Sequence, residues 1–188
     1  MSADPTDRLV QLGVATLHEA MGRRGIVRGI RLLVGPAFAG PASTVSIPAG
    51  DNLGIHALLV ETPAGGVACV ASAGIVVDDG IRDIDLLSAP PSIAARGVTA
   101  TGTVKRRHLG LGEPIALGAV LVRPGDWIVA DGDGLCVIPA DRLDAAIAAA
   151  EARVTKEDGI RDALRAGETT IAVLGLGPLL ETREGRGP

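Results

Sequence analysis

Aromatic side chains are almost missing from this sequence: Trp127 and Phe38 stand alone, and there is no tyrosine. That removes the platforms on which single-stranded nucleic acid stacks and the aromatic boxes that hold sugars or quaternary amines. Lysine is nearly as scarce, at Lys105 and Lys156 only, and no basic run exceeds Lys105-Arg106-Arg107. With a formal net charge of −4, the chain has the wrong balance for a phosphate-backbone binder. Cysteine is limited to Cys69 and Cys136, each in an apolar run without the near neighbour that a zinc site or redox pair requires. Both read as core residues of a reducing compartment. No apolar stretch approaches the roughly 20 residues of a membrane span, and the polar, acidic N-terminus does not read as a signal peptide. The expectation is a cytoplasmic protein that binds neither nucleic acid nor membrane.

What is present suffices for a core: 188 residues, 47% of them apolar, punctuated by 26 Gly and 12 Pro. A helical pattern over 6–12 breaks at Gly13, and a second helix is predicted to open at Thr16 with Glu19 completing a capping box. Gly22 and Gly25 are its natural stops. A strand centred on 43–47 follows, then a helix capped by Asp51 whose buried stripe is Ile55, Leu58 and Leu59. Residues 67–71, 75–77, 92–98, 119–122, 127–130 and 135–138 have strand composition. Turns are predicted at Arg123-Pro124-Gly125-Asp126 and Asp131-Gly132-Asp133-Gly134. A long helix starts at Pro139-Ala140-Asp141, faces Leu143, Ile147 and Ala150 inward, and frays near Asp158-Gly159 before a polar tail. The order reads as a mixed α/β domain over 1–140, with a C-terminal helix and tail over 141–188.

The densest polar cluster, Asp78-Asp79-Gly80-Ile81-Arg82-Asp83-Ile84-Asp85, follows a predicted strand. Loops at strand ends are where α/β proteins place chemistry, and carboxylates there suit a hard divalent ion that keeps several waters. A solvated turn before an Asp-capped helix accounts for the same spacing. His18, His56 and His108 have no ligand spacing, which argues against zinc. His56 is expected to pack on its helix and His18 to lie at the surface.

Several blocks in order carry a resemblance. Residues 12–25 (LGVATLHEAMGRRG) and 48–56 (PAGDNLGIH) are followed by Asp79-Gly80-Ile81-Arg82-Asp83, then Ala95-Arg96-Gly97-Val98 and Gly102-Thr103-Val104-Lys105. Residues 122–134 (VRPGDWIVADGDG) close the series. From about Asp7 to Leu176 the chain resembles the RraA-like family, and within it the 4-carboxy-4-hydroxy-2-oxoadipate and 4-hydroxy-4-methyl-2-oxoglutarate aldolases. The resemblance implies a single α/β domain of the swivelling β/β/α type with a C-terminal helical extension. It implies a metal-dependent class II aldolase that releases pyruvate from a small 2-oxo acid and works in trimers or hexamers. Asp83 would bind Mg²⁺ or Mn²⁺ largely through waters, and Arg82 would hold the 2-oxo acid and its enolate. Asn52, Thr103 and Glu19 would line the pocket, with Glu157 supplied by a neighbouring subunit.

The chemistry agrees, since a pyruvate enolate needs either a lysine Schiff base or a Lewis acid. Lys105 beside two arginines and Lys156 beside Glu157 lack the apolar setting that lowers a lysine pKa. Oxaloacetate decarboxylation passes through the same enolate. One departure stands out. Only Ser72-Ala73-Gly74 separates two strand runs between which relatives place a crossover, whereas parallel neighbours need about a dozen residues. The two runs must form a tight hairpin, merge, or pair elsewhere. The alternative to an aldolase is a non-catalytic, protein-binding regulator of the RraA type, or an inactive relative.

Overall fold

The computed structural model describes residues 4–61, 67–68, 71–72, 74–87, 91–107 and 109–184. In chain order the elements are α1 (Pro5–Ala20), β1 (Ile26–Val27), β2 (Arg31–Val34), β3 (Phe38–Ser43), β4 (Val45–Ser46) and α2 (Leu53–Glu61). Next come β5 (Val67–Ala68), β6 (Ala71–Ser72), β7 (Gly74–Ile81), β8 (Ser92–Val98), β9 (Gly110–Leu111), β10 (Ile115–Leu117) and β11 (Val120–Val122). The series ends with β12 (Trp127–Asp131), β13 (Gly134–Ile138), α3 (Leu143–Arg165), α4 (Thr170–Val173) and α5 (Gly177–Glu184). Two compact units divide the chain, Met1–Ala150 and Glu151–Pro188.

The main sheet of the first unit runs β1-β13-β12-β3-β5-β7-β8-β2, with β6 on β7. Its centre, β3-β5-β7-β8, is parallel, and antiparallel strands flank it on both sides. Side chains alternate across β12 and β13 as a two-residue period requires. Ile128, Ala130, Leu135 and Val137 face an interior shared with Phe38, Val76 and Val122. Val129, Cys136 and Ile138 face the other way, onto Leu9, Val14 and Leu17 of α1 and Ala146, Ile147 and Ala150 of α3. Full burial of Leu9, Val14 and Leu17 contributes about 1.5–3 kcal/mol each, which anchors α1. Burial drives the Cys136 thiol pKa up to about 12, as expected of a core residue. Cys69 lies outside the described residues.

Where the structure departs from the sequence reading, a local competitor explains it. Gly13, at φ 75° and ψ 161°, breaks α1 into two helical segments, as its position suggested. The second segment does not wait for Thr16, because Asp131 Oδ2 accepts from the Val14 amide at 2.7 Å. A carboxylate from the β12–β13 turn therefore caps the segment, and Glu19 stands near its C-terminal end. The strand expected at 43–47 resolves into β3 and β4, which leave one another to join different sheets. In α2, Leu58 is buried but Leu59 and His56 are exposed, so the buried stripe is narrower than its apolar pattern. Near Gly74, β6 pairs antiparallel with β7 through Ala71 and Gly74, the tight-hairpin solution, while β5 lies parallel to β7.

The long helix passes Gly159 without fraying and ends at Arg165. Spacing of three brings Arg161 onto Asp158 and Arg165 onto Asp162 along its exposed face. The first residues of the polar tail belong to α5. No helix among the described residues is long and apolar enough to cross a membrane.

Gly25 illustrates how tightly β1 enters this fold. Its φ is 79°, and a Cβ there would collide with the Val137 carbonyl oxygen, whose residue's amide donates to the Gly25 carbonyl. Gly25→Ala is expected to lose on the order of 2 kcal/mol or more, measured by urea unfolding.

Candidate functional site

Because β3, β5, β7 and β8 are parallel, the loops after their C-terminal ends open at one edge, where α/β sheets present side chains to ligands. Arg82 and Asp83 follow directly after β7. The Thr99 amide donates to the Ile81 carbonyl at 2.8 Å, so the loop after β8 runs beside them. Asp83 sits in the left-handed region at φ 58° and ψ 32°, ahead of a single 3-10 turn over Ile84–Leu86, and its side chain caps nothing. Instead, Asp83 Oδ2 forms an ion pair with Arg82, 3.1 Å from its Nε. Both side chains are more than half exposed, 54% and 58%, so the pair is weakly held and accessible from solvent.

The Arg82 guanidinium also reaches the loop after β8. A Cβ built on Gly102 would stand 3.5 Å from Arg82 Nη1, an ordinary contact distance, which places the guanidinium against this loop next to Thr103 in sequence. On the other side of Thr103, the Val104 amide donates to the Gly50 carbonyl at 2.9 Å, and Asn52 N donates to the Val104 carbonyl at 3.0 Å. This two-way pairing is a short parallel bridge between Asp51 and Val104. Thr103, exposed, thus lies in the chain between Gly102, which is near Arg82, and Val104, which pairs with Asn52. Asn52 Oδ1 is buried and finds no hydrogen-bond donor among the described residues. An orphaned acceptor of this kind costs free energy unless something fills the site.

Asp51 holds the bridge together. Its carboxylate, 5% exposed, accepts from the Leu53 amide at 2.9 Å and from the Arg106 and Arg107 amides at 3.0 Å each. These bonds favour the ionised form, the Leu53 amide most strongly, and hold the Asp51 pKa below its ordinary value. The sequence pointed to Asp51 only as a helix cap; its reach to Arg106 and Arg107, 55 and 56 residues away, carries no local signal.

The other expected residues lie apart from this group. Glu19 is paired with Arg23 at 3.0 Å on α1, which packs on β12, β3 and β13. Glu157, in the second unit, pairs with Arg153 at 2.9 Å rather than with Arg161, which Asp158 holds. The acidic run is not one loop: β7 extends to Ile81 and takes Asp78 and Asp79 into the strand. Asp78 receives Arg96 Nε at 2.6 Å and the Gly118 amide at 3.0 Å, while Asp79 accepts from the Gly80 amide. Among the described residues, no three His, Cys, Asp or Glu side chains gather as a metal site. His18 Nδ1 donates to the Arg24 carbonyl at 3.0 Å at the surface, and His108 lies outside the described residues.

Comparison with known proteins agrees with this fold. The family model RraA-like (Aldolase/RraA) matches residues 68–137. A protein of Halalkalibacterium halodurans is 35% identical over 125 residues, covering 53% of this chain and 59% of that protein. One of Albidiferax ferrireducens is 34% identical over 106 residues, covering 56% and 61%. Both carry the name "Putative 4-hydroxy-4-methyl-2-oxoglutarate aldolase". The chain thus spans about three fifths of the length of these curated relatives. Among solved structures, an uncharacterized protein from Pseudomonas syringae matches with TM-score 0.72 at 22% identity, over 90% of this chain and 96% of that one. Streptomyces coelicolor RraAS2, described as an unusual member of the RNase ES inhibitor RraA protein family, matches with TM-score 0.71 at 25% identity, over 86% and 97%.

Two outcomes follow from the backbone and charge of this site. Asp83→Gly is expected to be at least as stable as the wild type, because glycine takes φ > 0 without strain, whereas Asp83→Val loses about 1–2 kcal/mol in urea unfolding. A carboxylate whose folded pKa is depressed stabilises above its unfolded pKa and loses that contribution as pH falls through the folded value. The wild type should therefore lose stability below about pH 4, and Asp51→Asn should lose less over the same range while starting lower at pH 7. Thermal melts at pH 7 and pH 3 measure both.

Proposed function

With an RraA-type fold and RraA-like sequence over residues 68–137 as the premise, we propose that this chain is a divalent-metal-dependent aldolase. It cleaves 4-hydroxy-2-oxo acids to pyruvate and decarboxylates oxaloacetate through the same enolate. The observation that carries this reading is the convergence of Arg82, Thr103 and Asn52 at the open edge of the parallel strands, beside Asp83. Arg82 binds the substrate's carboxylate and keto oxygen and holds the negative charge that develops there as the C–C bond breaks. The Thr103 hydroxyl and the Asn52 side-chain NH₂ orient the three-carbon end as donors to its oxygens. Glu19 and Glu157 are the acid–base groups, brought to the site by assembly into trimers or hexamers. Leu86 and Val98, 83% and 58% exposed in and beside the loops of the site, support such assembly.

Mg²⁺ or Mn²⁺ fits the donors present as a largely hydrated ion. Asp83 offers one oxygen that accepts no hydrogen bond among the described residues, and these ions need only one or two protein carboxylates. Zinc, which takes three or four protein ligands usually including histidine or cysteine, finds no such group among the described residues. When bound, the ion supplies Lewis acidity to the keto acid.

The likeness to RraAS2 favours a second reading, a protein-binding regulator on the same fold. The two separate cleanly. For an aldolase, pyruvate release from 4-hydroxy-4-methyl-2-oxoglutarate or oxaloacetate falls at least about 100-fold with EDTA and with Asp83→Asn. Release that survives both treatments removes the metal from the reaction. No release, together with no thermal shift from Mg²⁺ and pyruvate, supports the regulator.

A further inference from the structure

The two loops that carry Asn52 and Thr103 come from distant parts of the chain, and one buried carboxylate joins them. The backbone bridge through Gly50, Asn52 and Val104 sets their register, but Asp51 closes it, accepting at once from its own helix at Leu53 and from the far loop at Arg106 and Arg107. Among the described residues no lysine or arginine side chain pairs with it; its partners there are backbone amides. A helix cap requires only the first of these contacts. The two contacts to the far loop add nothing to α2, and they set where Val104 and hence Thr103 stand relative to Asn52.

We propose that Asp51 is a positioning residue for the keto-acid end of the site, acting through Asn52 and Thr103 and leaving the Asp83 turn unaffected. This rests on the aldolase reading above. The separation is geometric. Arg82 and Asp83 are placed by β7 and by the Ile81–Thr99 hydrogen bond, in which Asp51 takes no part. Loss of the clamp loosens substrate groups and spares the ion's carboxylate, a division that general destabilisation does not produce.

Two variants isolate the effect. In Asp51→Ser, the hydroxyl still caps the Leu53 amide but is too short to reach Arg106 and Arg107, so α2 keeps its cap while the clamp is lost. In Asp51→Asn, the shape is kept but one carboxylate oxygen becomes an NH₂ donor, so the side chain no longer offers two acceptors to the amides around it. Oxalate, a planar dianion that mimics the pyruvate enolate, serves as the probe, with Mn²⁺ titrated separately by calorimetry on the full chain. The expected result is an oxalate Kd raised about tenfold and a Mn²⁺ Kd within about twofold of wild type. KM for oxaloacetate should rise more than kcat falls, and the Tm of Asp51→Ser should stay close to wild type. Unchanged oxalate binding in both variants overturns the inference, as does a Mn²⁺ Kd that weakens in parallel with oxalate. A wild-type chain that takes up neither Mn²⁺ nor oxalate overturns the aldolase reading, and this inference with it.

Discussion

The candidate site depends on a single desolvated carboxylate. Asp51 is almost fully buried and satisfied by backbone amides from two segments about 55 residues apart. A carboxylate drawn out of water needs donors in place of the water it loses, and the chain supplies main-chain ones. That requirement converts an ordinary helix start into a junction. Asn52 on one side and Val104 on the other are bridged beside it, and the Arg82 guanidinium comes close to the second loop at Gly102.

Much of the architecture was legible in the residues. The strand at 92–98 and those near 127 and 135 have β-branched or small apolar composition bounded by turns, and they appear where expected, as β8, β12 and β13. The Asp131–Gly134 turn closes a hairpin, and Gly13 breaks α1. What could not be read was decided across the sheet. The two-residue β1 and the short β2 carry too little periodicity to announce themselves, and they exist because β13 and β8 offer them unpaired edges. Asp78 and Asp79 look like loop residues in isolation. They lie within the strand because β7–β8 pairing resumes at Gly80 and Ile81, after a register irregularity between Val77 and Gly80 that they occupy.

The site was legible to a similar depth. Arg82 and Asp83 are sequence neighbours, so their pairing needed no tertiary knowledge. Bringing Asn52 and Thr103 to the same edge required the parallel order of β3, β7 and β8, which composition alone does not specify. Glu19 and Glu157 were the weakest members for the same reason. Each lies on a helix where an arginine four residues away is an equally good partner, and each has taken one.

Asp131 has a different consequence. Its Oδ1 accepts from the Asp133 amide within its own hairpin, and its Oδ2 accepts from the Val14 amide 117 residues earlier. The first residue of the second segment of α1 therefore finds its acceptor only after the β12–β13 hairpin has formed. During synthesis, the N-terminal helix leaves the ribosome long before that hairpin exists and stays uncapped at its kink until nearly the whole first unit has been made. Closing so long a loop is paid for by contacts formed elsewhere. The cap at the kink of α1 is thus tied to the hairpin's arrival rather than to the helix's own sequence.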